Sequence, residues 1–274
     1  MDRLTTFTGF FKSRPGADGV ATVTDGLSQT GKTGVRCRSI SLTYDNRPVF
    51  DRFSLDFEAG ACTCLLGPSG CGKSTLIRII SGAKDIAYRG EIQLVEAEKG
   101  LSVAWMSQKD LLLPWLSVLD NIMLGAKLRG EGDETTVEKA YMLLAKAGMT
   151  GDGHKYPPAL SGGMRQRVAL LRTLMEQRDI LLMDEPFSAL DALTRLRLQD
   201  LSATLTRGKT VILVTHDPLE ALRLADRIVV LGGTPATIVG DIRPGGVAPR
   251  ESGGPEIVKE YPRLLKTLLG GDGA

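Results

Sequence analysis

Four short apolar runs, at residues 61–66, 180–183, 211–214 and 228–231, recur along the chain with stretches of helical periodicity between them. An apolar run suits a strand buried on both faces. Strands spaced by helices join most readily in parallel, with the helices covering the sheet. The pattern predicts an α/β fold on a mainly parallel sheet. A different texture surrounds the first run: residues 36–44, 53–57 and 88–95 alternate apolar and polar side chains, as half-buried strands of an antiparallel sheet do. Residues 109–176 hold no apolar run and read as several helices, including 134–146 and the segment after Ser161, so a helical subdomain is expected there. Residues 1–34, rich in Gly, Thr and Ser, are expected to form a flexible extension. The main domain is expected over 35–235, and 236–274 as a tail carrying a short amphipathic helix at 255–269.

Composition narrows the function classes. A formal charge of +2, from 34 basic and 32 acidic side chains, gives no general basic surplus for a nucleic-acid backbone, so no nucleic-acid partner is expected. The four cysteines (Cys37, Cys62, Cys64, Cys71) lack the paired spacing of a zinc site, and a chain of this length folds without disulfides; they are expected to be reduced and structural. No window approaches the roughly 18 apolar residues of a spanning helix, so a membrane role would need a partner. The first residues lack an apolar run of secretory-signal length, and an amphipathic presequence stays open.

The first apolar run leads into Gly67, Pro68, Ser69, Gly70, Cys71, Gly72, Lys73, Ser74 and Thr75, which fits G-x-x-x-x-G-K-[ST]. The glycines let backbone N–H groups curl around phosphate oxygens, Lys73 neutralises the β- and γ-phosphates, and the Ser74 hydroxyl suits Mg2+. Context supports the match, because a strand enters and a helical pattern leaves, aiming the helix dipole at the phosphate. The same pattern occurs from Gly26 to Thr33 without that context: a strand-like alternation follows it, which marks a chance match. A bare phosphate loop fits kinases, GTPases and ATPases alike. The run at 180–183 adds Asp184 and Glu185 at its end. Asp184 can hold Mg2+ through water, and Glu185, one step on, can orient and deprotonate an attacking water.

Leu160-Ser161-Gly162-Gly163-Met164-Arg165-Gln166 resembles the signature of the ABC-type ATPases. Physically, Ser161 and two glycines at a helix start make a second anion site; a plain cap explains Ser161 but not Gly162 and Gly163, which cost helix stability. The resemblance covers about residues 35–235, with every motif in the family's order. It implies a phosphate-loop NTPase core with an antiparallel β subdomain and an inserted α-helical subdomain. It implies ATP and Mg2+ as ligands, with Tyr44 stacking on adenine and Gln108 sensing Mg2+ and the γ-phosphate. Ser188 to Asp191 would form a loop crossing between subunits, and His216 would contact the γ-phosphate. In that family the signature of one subunit closes over ATP held by another, so a second copy or a paralogue is expected. Lys73, Ser74, Gln108, Asp184, Glu185 and His216 would come from one chain, Ser161 and Gly163 from its partner.

The apolar cluster from Gln108 to Asn121 is expected to offer a groove, at Pro114 and Trp115, to a transmembrane permease subunit, with Leu116 and Leu119 in the core. Leu-Leu-Pro-Trp at 112–115, Asp191 to Arg195 and Thr215 to Ala221 resemble the ATP-binding subunits of bacterial importers for nitrate, sulfonates and taurine. Residues 110–121, 222–226 and 233–236 look closest to the subunit linked with hydroxymethylpyrimidine, a thiamine precursor. The resemblance implies peripheral attachment at the cytoplasmic face of the inner membrane and a periplasmic solute-binding protein in the same system. A soluble ABC ATPase acting on ribosomes or DNA would call for two ATPase domains or a long coiled coil, and a phosphate-loop kinase would leave residues 160–166 unexplained.

Overall fold

The computed structural model describes residues 23–26, 34–95, 103–176 and 178–270. The first strands are β1 (Val23–Gly26), β2 (Gly34–Tyr44) and β3 (Arg47–Phe57). β2 and β3 form an antiparallel hairpin closed at Asp45 and Asn46. Both turn residues have positive φ, 46° and 62°, as a two-residue turn matched to strand twist requires. β4 (Cys62–Leu66) leads through the glycine-rich loop into α1 (Lys73–Ile80), and β5 (Arg89–Val95) follows. These build a four-stranded sheet in the order β1-β5-β2-β3, antiparallel except for the β1–β5 pair.

After β6 (Val103–Met106) come four helices: α2 (Val118–Ile122), α3 (Leu124–Leu128), α4 (Glu134–Lys146) and α5 (Gly162–Met175). The chain then alternates through β7 (Ile180–Asp184), α6 (Ala192–Leu205), β8 (Thr210–Val214), α7 (Pro218–Leu224) and β9 (Arg227–Gly232). It closes with β10 (Thr237–Ile242) and α8 (Pro255–Gly270). The second sheet has the order β10-β9-β4-β8-β7-β6; its pairs are parallel except β10 on β9. All four apolar runs of the sequence lie in it as β4, β7, β8 and β9.

The reason is visible along β7. Leu181 and Met183 belong to one core cluster, shared with α2, α4, α5, α7 and α8. Ile180 and Leu182 belong to the other, shared with α1 and the antiparallel sheet. A strand with period 2 that feeds a core on each side must be apolar at every position. Each fully buried Leu or Ile contributes about 1.5–3 kcal/mol of hydrophobic stabilisation, so polar substitution at any of these positions is costly.

Strand order also positions the candidate site residues. β8 lies between β4 and β7, with Leu65 and Asp184 both in register with Val214. The ends of β4, β7, β8 and β6 therefore deliver Gly67, Glu185, His216 and Gln108 to one edge of the sheet. Binding in the crevice at the carboxyl ends of parallel strands is the general rule for such sheets.

Two parts differ from the sequence expectation. Val23–Gly26 is a strand paired with β5, where only an extension was expected; residues 1–22 and 27–33 of that extension lie outside the described residues. Residues 236–270 are more than a tail with a helix. β10 pairs with β9, and Ile257 and Leu264 of α8 are members of the first core cluster. The alternation in β10 is weak because Gly240 interrupts it at a register shift. Gly240 is small because Thr267 of α8 crosses it, its methyl 2.6 Å from where a Cβ would stand.

Candidate nucleotide site

The loop between β4 and α1 is packed too tightly for side chains at two of its glycines. Gly67 has φ 149°, and a Cβ there would lie 2.2 Å from the carbonyl oxygen of Leu231. Gly72 has φ 98°, and its Cβ would meet Phe50 and Val49 of β3 at 2.8 Å. The loop is thus pressed between the end of β9 and the hairpin strand that follows Tyr44. Gly72 is also the N-cap residue of α1, which has no side-chain cap and no acid in its first turn. The first N–H groups of a helix have no intrahelical partner, so α1 offers its amides and the positive end of its dipole to an anion. Pro68, Ser69, Gly70 and Ser74 are exposed, Thr75 is half-buried and Cys71 is buried beneath the loop. Lys73 is buried and folds back, its Nζ donating to the carbonyls of Gly67 at 2.7 Å and Pro68 at 2.8 Å.

Across from the loop, the Ser74 hydroxyl donates to Asp184 Oδ1 at 3.0 Å. Burial holds the Asp184 carboxyl above the ordinary carboxylate range, and a cation beside it would favour the ionised form. Glu185 has φ 50°, an uncommon conformation for a residue with a side chain. Its backbone is fixed on both sides. The N–H donates to Val214 O at 2.9 Å, and the carbonyl accepts from Gln166 Nε2 at 2.9 Å and from Ser188 Oγ at 3.1 Å. Strained residues persist where the surroundings over-determine them. The result is a carboxylate projected from the strand end, with Gln108 Nε2 donating to Oε2 at 3.2 Å and His216 Nδ1 3.2 Å from Oε1. A carboxylate held in this way can accept a proton from water.

Ser161, Gly162 and Gly163 stand apart from this cluster, at the start of α5. The Ser161 hydroxyl caps the helix by accepting from Met164 N–H at 3.2 Å. Ser161 and Gly162 are exposed, while Gly163 is half-buried under the Ala189 carbonyl, 3.0 Å from where its Cβ would be. No hydrogen bond among the described residues joins these three to the phosphate loop. Tyr44 lies 44% exposed at the end of β2, beside the hairpin turn. The second phosphate-loop match leaves Gly34 into strand β2, without the helix N-terminus such a loop needs; residues 27–33 of that match lie outside the described residues.

Several residues organise this region through contacts that their motifs do not reveal. Gln166, inside the signature, accepts from Ala189 N–H at 2.7 Å as well as holding the Glu185 carbonyl, so α5 is tied to the 185–189 turn. Arg165 pairs with Asp110 at 3.0 Å, and Arg172 donates to the carbonyls of Asp110 and Leu111, both at 2.9 Å. Asn121 is fully buried; its amide accepts from Leu113 N–H and donates to the carbonyls of Leu113, Leu116 and Ser117. The segment 109–117 is therefore clamped from two sides while Trp115, 70% exposed, and Leu111, 56% exposed, face outward. Leu119 packs on the core and Leu116 is half-buried.

A model of the ABC transporter family matches residues 50–188, half of the chain, spanning the phosphate loop, the signature and Asp184–Glu185. The chain belongs to the ABC transporter family. Among ABC relatives, an uncharacterised ABC transporter ATP-binding protein of Haemophilus influenzae is 45% identical over 241 residues, covering 86% of this chain and 99% of that protein. The aliphatic sulfonates import ATP-binding protein SsuB 1 of Rhodococcus jostii is 41% identical over 254 residues, 90% of this chain and 98% of its own. A solved ABC structure, a dimeric ATP-binding cassette in a post-hydrolysis state bound to ADP and Pi, superposes with TM-score 0.67 and 28% identity, over 77% of this chain and 99% of that one. This chain is an ABC ATPase: it binds ATP and hydrolyses it, on the mixed α/β fold that the sequence led us to expect.

Proposed function

We propose that this ABC ATPase is the energy-supplying subunit of an importer for a small organic solute, acting as a pair of ATPase subunits on a separate membrane permease. The meeting of Gln108 and His216 on the two oxygens of Glu185 carries the chemical reading. In it Glu185 is the general base that takes a proton from the attacking water. Gln108 and His216 hold that carboxylate in place and stand ready to contact the γ-phosphate. Lys73 leaves the carbonyls of Gly67 and Pro68 for phosphate oxygens, because an ammonium pairs more strongly with an anionic oxygen than with a neutral carbonyl. The amides at the start of α1 bind the same phosphates, and Tyr44 stacks on adenine.

Ser74 Oγ, Asp184 and the amide oxygen of Gln108 are hard oxygen donors of the kind Mg2+ takes. Burial around Asp184 makes a cation welcome there. Bound Mg2+ would neutralise charge between the β- and γ-phosphates. Ser161, Gly162 and Gly163 would cap the nucleotide of the second copy, in keeping with the exposure of Ser161 and Gly162 and with the dimeric ADP-bound relative.

Coupling to a membrane is supported by the clamped 109–117 segment. It offers Leu111 and Trp115 on a fixed backbone to a permease segment, and no helix among the described residues is long and apolar enough to cross a membrane itself. The subunit would sit peripherally at the cytoplasmic face, with a periplasmic solute-binding protein delivering the solute. The import names of relatives at about 40% identity support uptake, and they favour an aliphatic sulfonate over the hydroxymethylpyrimidine suggested by residues 110–121. Ligand binding by the partner solute-binding protein decides between the two.

The mechanism is tested with Glu185→Gln. ATP turnover is expected to fall by about 100-fold or more, as for loss of a general base, while ATP-bound dimers accumulate in size-exclusion chromatography. Turnover close to wild type would remove Glu185 from the role of base; monomers alone in saturating ATP would remove the two-subunit site.

A further inference from the structure

Between α6 and α7 lies a polar cluster that the chemistry above does not use. At its centre is Glu220, 5% exposed, four residues beyond His216 in the first turn of α7. Its Oε2 accepts from Gln199 Nε2 of α6 at 3.3 Å, and the neighbouring Thr215 hydroxyl, on the residue before His216, works against burial to favour the ionised carboxyl. Gln199 in turn accepts from Arg223 at 3.1 Å. On the α6 side Arg195 donates to the carbonyl of Leu190 at 3.0 Å and stands 3.8 Å from Asp217, the N-cap of α7. The cluster thus spans from the His216 turn to the 188–191 loop.

Its hydrogen bonding is incomplete. Glu220 Oε1, Arg195 Nε and Arg223 Nε are all buried and without a partner, whereas buried polar atoms are normally paired. Three orphans at one helix interface leave donors and an acceptor to spare. That is the property of a contact that can re-pair when the two helices shift. Burial pushes the Glu220 carboxyl up to about 7, so an ionised carboxylate is held there under tension and a neutral one is easily accommodated.

We propose that Glu220 is a positioning residue for ATP hydrolysis: bonded to Gln199 and set beside Thr215, it holds the His216 turn against α6, tying the histidine beside Glu185 to the loop that would meet the second subunit. This rests on the role proposed for His216 in contacting the γ-phosphate.

The full-length chain tests it by steady-state turnover, binding of a fluorescent ATP analogue and thermal unfolding. Glu220→Ala is expected to lower kcat by about 10- to 100-fold, the scale of a small misplacement of a reacting group. KM and analogue affinity should stay within about 2-fold, because nucleotide is bound elsewhere. Glu220→Gln, which keeps an acceptor oxygen for Gln199, should recover kcat to within about 3-fold of wild type. Adding His216→Ala to Glu220→Ala should lower kcat no more than about 2-fold below His216→Ala alone, since one acts through the other. Full kcat in Glu220→Ala overturns the proposal. So does a Gln variant as weak as Ala, full additivity in the double variant, or a kcat loss that follows analogue affinity and the unfolding midpoint together. Should Glu220→Ala fail to fold, Gln199→Leu removes the α6 side of the same bond; a kcat loss at constant KM supports the proposal and an unchanged kcat overturns it. His216→Ala at wild-type turnover overturns the histidine reading itself, whereas an impaired His216→Ala beside a fully active Glu220→Ala overturns this inference alone.

Discussion

Asn121 makes four hydrogen bonds from a fully buried position, three of them to carbonyls of a loop that has no regular structure of its own. An irregular segment must find partners for its backbone groups somewhere, and here one amide provides four of them. Asn121→Ala would strand those groups and is expected to cost about 2–3 kcal/mol in denaturant unfolding. Limited proteolysis should then cut within 111–117 while ATP affinity is retained. Cleavage at the wild-type rate would show that Arg165 and Arg172 suffice as clamps. In the sequence Asn121 looks like any polar residue in a short helix, because residue type does not reveal which loop folds back onto it. Gln166 is the same case: its place in the signature is plain, but its bonds to Glu185 and Ala189 depend on a strand end far along the chain.

Two helices show the same physics put to different ends. Both α1, which follows Gly72, and α5, which begins with Gly162, have a glycine at their start, yet α1 has no side-chain cap whereas α5 has Ser161. The bare start of α1 suits a phosphate held by the loop of its own chain. The capped, exposed start of α5 suits an anion arriving from another molecule. Ser161→Ala is expected to cost about 1 kcal/mol of stability, the usual worth of such a cap, and to reduce ATP turnover much further, by about 10-fold or more. Unfolding and turnover measured on one preparation separate the effects. A turnover loss no larger than the loss of folded protein would reduce Ser161 to a cap.

At the scale of the molecule, the sheet order places four strand ends at one edge, and the core holds that order from both sides. α8 takes part: Leu264 is fully buried in the cluster that also contains Leu222 of α7 and Val230 of β9. Leu264→Ala is expected to destabilise the chain by about 2–4 kcal/mol through transfer and cavity terms, with KM for ATP unchanged. A midpoint of unfolding equal to wild type would mean that α8 docks without contributing to the core.

The buried strands, the phosphate loop, the signature and the Asp184–Glu185 pair were legible because each depends on local order: an apolar run, a spacing, a residue type next to a helix start. The sequence by itself therefore determined a parallel α/β core with a nucleotide loop, and named the side chains able to act there. Which of them meet was decided only by the tertiary structure. Gln108, Glu185 and His216 are brought together by strand order, which no local pattern encodes. Glu220 and Asn121 acquire their meaning from helices and loops distant in sequence. α8 joins the core through Ile257 and Leu264, and Gly240 lets its Thr267 approach β10, contacts that exist only once these elements have folded.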